Sequence, residues 1–110
     1  EQFLYDFHRN HPEIQLLLAG DVNDNTWSKT MTVLTSRILF DAGNTIADNE
    51  RFSFIYDGNA IQLDHILVSD PKFITQYTIP HLNSLLDYSL QMSDHDPVLV
   101  ELDFGERTSQ

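Results

Sequence analysis

The chain of 110 residues, 41% hydrophobic and 21% charged, is long enough for one domain with its own core and too short for two ordinary ones. It has no cysteine, which excludes disulfide scaffolds, thiolate metal sites and cysteine nucleophiles, and no apolar run approaches the roughly 18 residues of a membrane span. Six Lys and Arg against 17 Asp and Glu give a net charge of −11, which disfavours a bare electrostatic nucleic-acid binder or a polybasic membrane-surface module.

Phe3, Leu4 and Phe7 recur at helical spacing ahead of Pro12, so Gln2 to Asn10 reads as an amphipathic helix. Ile14, Leu16, Leu17, Leu18 and Ala19 make a short apolar run, broken at Gln15, that stops at Gly20, the pattern of a strand buried on both faces. Asn25 or Thr26 can cap a short helix from Trp27 to Leu34, and Asp41, Gly43 and Asn44 then signal irregular structure. Phe52, Phe54 and Tyr56 alternate up to Asp57-Gly58-Asn59, and a second apolar segment runs from Ile61 to Val68, which together predict a hairpin. In that segment Asp64, Ile66 and Val68 share one face while Leu63, His65 and Leu67 share the other, so both faces are covered. Residues 71–93, with Pro71 and Pro80, read as loop with helical turns. Pro97 to Phe104 reads as a half-buried closing strand, with Val98, Val100, Leu102 and Phe104 on the inner face. The tail from Gly105 to Gln110 is expected to fray. Helices alternating with such strands indicate an α/β layered unit over residues 1–110. Glu1 to Asp6 lack the basic and apolar regions of a signal peptide, and the absence of cysteine suits cytosol and exterior alike, so the compartment stays open.

Three acidic clusters stand at strand ends. Gly20-Asp21-Val22-Asn23-Asp24 sets a carboxylate and a carboxamide two residues apart where the chain leaves a strand, a place where α/β sheets build sites. Gly, Asp and Asn are also the commonest turn residues, so a plain turn is the competing reading. Asp64 lies inside an apolar strand, where an unpaired charge costs several kcal/mol, so a partner for it is required. His65 is expected to pack with both ring nitrogens satisfied. Ser93-Asp94-His95-Asp96-Pro97 gathers two carboxylates around an imidazole, the side chain best suited to proton transfer near neutral pH, or else forms a polar turn before a proline-led strand.

Asp21-x-Asn23 after an apolar strand, then Leu63-Asp64-His65-Ile66-Leu67-Val68, then Ser93-Asp94-His95-x-Pro97-Val98 before a final strand resembles the endonuclease/exonuclease/phosphatase superfamily, the relatives of deoxyribonuclease I. The likeness extends from about Ile14 to Leu102 and includes Asn25-Thr26-Trp27-Ser28 and the aromatic hairpin. It implies a four-layered α/β sandwich, with mixed or antiparallel sheets and flanking helices, and phosphoester hydrolysis with Mg²⁺, or Mn²⁺ or Ca²⁺ in its place. Residue by residue it implies that Asp21 orients or deprotonates the attacking water, that Asn23 donates hydrogen bonds to the phosphate, and that Asp64 holds the imidazole of His95. It further implies that His95 contacts the phosphate and that Asp94 lies near the metal. Asp24 and Asp96 receive no role from it.

Members of that superfamily are about twice this long, and their first half supplies an Asn, a metal-binding Glu and a further His. Those cannot be assigned here, and His8 and His11 do not fill the role. The chain therefore resembles the C-terminal half of such a domain, expected to be poorly active alone and to need the missing N-terminal half. The faces carrying Ile66 and Val68, or Val98 and Val100, are then expected to be bare and to drive self-association. The leading function is a nuclease acting on the phosphodiester bonds of nucleic acid. A phosphomonoesterase or sphingomyelinase of the same superfamily, or a non-catalytic half-domain serving in assembly, stands as the alternative. Inositol phosphatases of this superfamily carry Trp-Cys-Asp-Arg where this chain has Gln62-Leu63-Asp64-His65, which counts against them.

Overall fold

A computed structural model describes residues 1–105 of the chain, so the fraying expected of the tail beyond Gly105 lies outside the described residues. The architecture is mixed α/β with antiparallel sheets and few helices. Helix α1 (Gln2–Asn10) falls where its periodicity places it, and α2 (Lys29–Leu34) is shorter at its start than expected. The cap of α2 is Ser28, whose hydroxyl accepts from the Met31 N–H, instead of Asn25 or Thr26. Asn25 Oδ1 instead accepts from the Trp27 N–H, closing the turn that leads into the helix.

Strands β1 (Leu17–Asp21), β2 (Phe40–Asp41) and β5 (Asp64–Val68) form a three-stranded sheet in the order β1-β5-β2. The expectation of a doubly buried first strand is corrected: β1 begins three residues later than Ile14, runs on through Gly20 and Asp21, and is mostly exposed. The reason is position. It pairs only with β5 and so forms the sheet edge, whereas β5 is paired on both sides and is the buried strand. Strands β3 (Phe54–Tyr56) and β4 (Asn59–Ile61) make the predicted hairpin around Asp57-Gly58, whose φ values of 50° and 79° are those of a tight two-residue turn. The apolar segment after it divides in two, with β4 completing the hairpin and β5 crossing to β1.

Strand β6 (Ile74–Thr78) falls where the sequence predicts loop, and it pairs with β7 (Leu99–Leu102), which occupies the middle of the expected closing strand. Ile66 and Val68 of β5 pack with Ala42, Tyr77 and Ile79, and Val98, Val100 and Leu102 close over them. The two faces expected to be bare therefore cover each other. On the opposite side of β5, Leu67 packs with Met31 and Leu39, joined by Leu4, Leu16 and Leu18. β5 thus lies between helices and β6–β7. No described helix is long and apolar enough to cross a membrane.

Candidate functional site

Asp21 ends β1 and Asp64 begins β5, and the antiparallel register sets them directly opposite each other. Beyond Asp21 the ladder takes one more rung, from the Val22 N–H to the Leu63 carbonyl. The chain then turns: Asp21 Oδ1 accepts from the Asn23 N–H at 2.8 Å, and Asn23 takes a left-handed conformation with φ 58°. This is an Asx turn, and it shows how one sequence serves both the turn reading and the site reading. Asn23 itself is exposed.

His95 arrives from the segment ahead of β7, distant in the sequence. It bridges to Phe54 of the hairpin, whose ring lies 5.0 Å from the imidazole, and its Nδ1 lies 2.6 Å from Asp64 Oδ2. A carboxylate only accepts, so Nδ1 carries the proton and Nε2 is the nitrogen left to face other groups. Ligand atoms of Asp21, Asp64 and His95 all lie within 4.8 Å of one another. Beside them opens a cavity of about 230 Å³ that Asp21, Asp64 and Asp96 help to line. A larger depression of about 450 Å³ at Thr75 and Glu101 to Gly105 gathers no imidazole, so it offers no comparable chemistry.

Burial would lower the pKa of His95, but the hydrogen bond and charge of Asp64, then the charges of Asp21 and Asp94, outweigh it and hold the imidazole above its ordinary value. A histidine raised in the folded state stabilises fully below its unfolded value, and that contribution is lost as pH rises through the folded value. Thermal denaturation across that window should show wild-type stability falling from about pH 6.5 upward. Asp64→Asn should flatten this fall, and an unchanged pH dependence in that variant would contradict the pairing.

Beneath the cluster lies a polar network that the sequence does not reveal. Arg51 and Asp41 pair at 3.1 Å with side chains only 7% and 5% exposed. Arg51 also donates to Gln62 Oε1 at 3.3 Å and to Asn44 Oδ1 at 3.0 Å, while Asp41 Oδ1 accepts from the Gly43 N–H. The Gln62 amide donates to the Asp64 carbonyl and to the hydroxyl of Tyr77, whose phenol is pushed up chiefly by burial and further by the Asp41 charge. His65 Nε2 donates to the Asp24 carbonyl at 2.8 Å, tying the loop after Asp21 to β5. Its Nδ1 has no hydrogen-bond partner and lies 4.0 Å from Asp41, so the expectation that both ring nitrogens are satisfied is corrected. The physical reason is competition, because Arg51 takes the Asp41 oxygen that lies nearest to the ring.

The structure thus brings Asp21, Asp64 and His95 together. Asn23 stands on the adjoining turn, and exposed Asp94 lines a separate groove with Tyr88 and Met92, its charge still reaching His95. Asp96, to which sequence reasoning gives no role, is buried and accepts from His81 Nδ1, the Asn83 N–H, the Ser84 N–H and the Ser84 hydroxyl. Burial would raise its carboxyl, but those bonds outweigh it and hold the group below the ordinary range. Comparison of the chain with protein-family models, curated proteins and solved structures finds no match.

Proposed function

We propose that this chain carries the C-terminal half of a metal-dependent phosphodiesterase of the deoxyribonuclease I type, a four-layered sandwich when complete, acting on nucleic acid. The observation that supports this reading most is the convergence of Asp21, Asp64 and His95 from three distant segments into one group, beside a cavity that the two carboxylates help to line. A random polar turn has no reason to meet a carboxylate set in an apolar strand. In this reading Asp21 takes a proton from the attacking water or orients it, and Asn23 donates to the phosphate as charge grows there. His95 presents Nε2 to the phosphate, and Asp64 fixes its ring and tautomer.

The donor set suits a hard cation: a hydrated Mg²⁺ takes one or two carboxylates and completes its shell with water and substrate phosphate. The likeness assigns it to Asp94, which stands outside the Asp21, Asp64 and His95 group, so ligands from the missing half would complete the site, and such an ion would neutralise phosphate charge, which an acidic chain otherwise repels. A flat outline also supports incompleteness. The described chain measures 49 × 35 × 22 Å with a radius of gyration of 15.6 Å, against about 13 Å for a compact domain of this size.

The test is hydrolysis of labelled DNA and RNA by the complete protein with Mg²⁺, alongside sphingomyelin vesicles and a phosphomonoester. We expect metal-dependent cleavage of nucleic acid, abolished by chelation, and little turnover by the 110-residue chain alone. No cleavage by the complete protein would remove the enzymatic reading in favour of an assembly module. Turnover confined to vesicles or the monoester would replace the substrate, and brisk turnover by the chain alone would remove the half-domain reading.

A further inference from the structure

The segment from Met92 to His95 is irregular, yet it carries both Asp94 and the imidazole. Its geometry is set by a side chain elsewhere in the sequence. The Asn83 amide spans it end to end: Oδ1 accepts from the Met92 N–H at 3.2 Å, and Nδ2 donates to the His95 carbonyl at 2.9 Å. The orientation of that amide is fixed by chemistry. Flipped, it would set NH₂ against N–H and oxygen against carbonyl, so both contacts would turn repulsive.

Asn83 is in turn anchored where it cannot drift. Its own N–H donates to Asp96 Oδ1 at 2.9 Å, and Asp96, 3% exposed, also binds Ser84 and His81, the latter stacked at 3.8 Å on Phe52. The Asp96 N–H donates to the Ser53 carbonyl at 2.7 Å, and the Ser53 hydroxyl accepts from the N–H groups of Leu63 and Asp64. One continuous set of bonds therefore joins the backbone at Asp64 to the backbone at His95, in addition to their shared side-chain bond.

We propose that Asn83 is a positioning residue: by closing the Met92–His95 loop it sets the angle at which His95 meets Asp64 and presents Nε2. This rests on the catalytic reading of His95 for its consequence in turnover, but not for its geometry. Loss of the clamp leaves the loop free to move by the ångström or so that costs an enzyme about a hundredfold in rate.

Asn83→Ala removes both contacts, and Ser69→Ala, which deletes the acceptor of the Leu16 N–H at the far end of β5, serves as a control for general loosening. The first readout is the proton resonance of the His95 Nδ1–H, which a short bond to a carboxylate moves far downfield. We expect it in the wild-type chain and in Ser69→Ala, and shifted or lost in Asn83→Ala. Its absence from wild type, or its persistence unchanged in Asn83→Ala, overturns the proposal.

The second readout is kinetic, in the complete protein, where kcat should fall about tenfold to a hundredfold with KM little changed. A fall no larger than in Ser69→Ala overturns the proposal. If Asn83→Ala does not fold, Asn83→Asp keeps the acceptor for Met92 but sets a carboxylate oxygen against the His95 carbonyl in place of the donor, and the same resonance decides. A protein without any phosphodiesterase activity defeats the functional reading alone, because the resonance still reports on the clamp.

Discussion

Replacing His95 with alanine in the complete protein should lower phosphodiester turnover by about a hundredfold or more, the scale for losing a group that transfers a proton or stabilises developing charge. The partnership with Asp64 makes a sharper demand than the single loss. Their 2.6 Å bond is the only contact through which Asp64 is argued to act on substrate. Asp64→Asn should therefore be severe in the presence of His95 and add little in its absence. Kinetics of the two single variants and the double variant test this, and multiplicative losses would show that Asp64 acts independently of the imidazole.

Arg51→Met should produce the largest loss of stability among single substitutions that leave the apolar core intact. Removing it strands the Asp41 carboxylate at 5% exposure with only the Gly43 N–H and the His65 imidazole, 4.0 Å away, beside it. Leaving a buried charge uncompensated costs about 3–5 kcal/mol, a large part of the roughly 5–15 kcal/mol that holds a typical domain folded. Chemical denaturation should show a correspondingly lower midpoint. Asp41→Asn combined with Arg51→Met should recover part of the loss, because it removes the stranded charge. A loss below about 1 kcal/mol would mean that the pair behaves as a surface ion pair.

The parts of this molecule that are legible in the sequence are those whose signal is local. The hairpin announces itself through alternating aromatics and Asp57-Gly58, and α1 through its period. β5 is recognisable because it is apolar on both faces apart from Asp64 and His65, and Asp64 does have the partner it demands. What the residues alone do not supply is the identity of that partner, which comes from the likeness to a family. β6 is hidden because Ile-Thr-Gln-Tyr-Thr is short and set between Pro71 and Pro80. Its register with β7 shifts between Ile74 and Gln76, so no clean alternation survives. β1 is displaced from its expected place because Gly20 and Asp21 look like a turn but are the last rungs of a ladder. Arg51, Asp41 and Gln62 are invisible for a different reason, since each is an ordinary surface residue until tertiary structure buries it beside the others.

The register of β1 on β5 sets one further constraint. Four of its five rungs pair side chains that tolerate each other, but the rung at the site end is Asp21 against Asp64, two acids facing each other across the strands. Like charges so placed push their strands apart. The zipper is thus weakest at this end, where its last tooth closes on a repulsion, and a positive charge beside the acids acts as the slider that shuts it. In this chain that charge can be the protonated imidazole of His95, so the proton that the two acids favour on the ring also holds the two strands together.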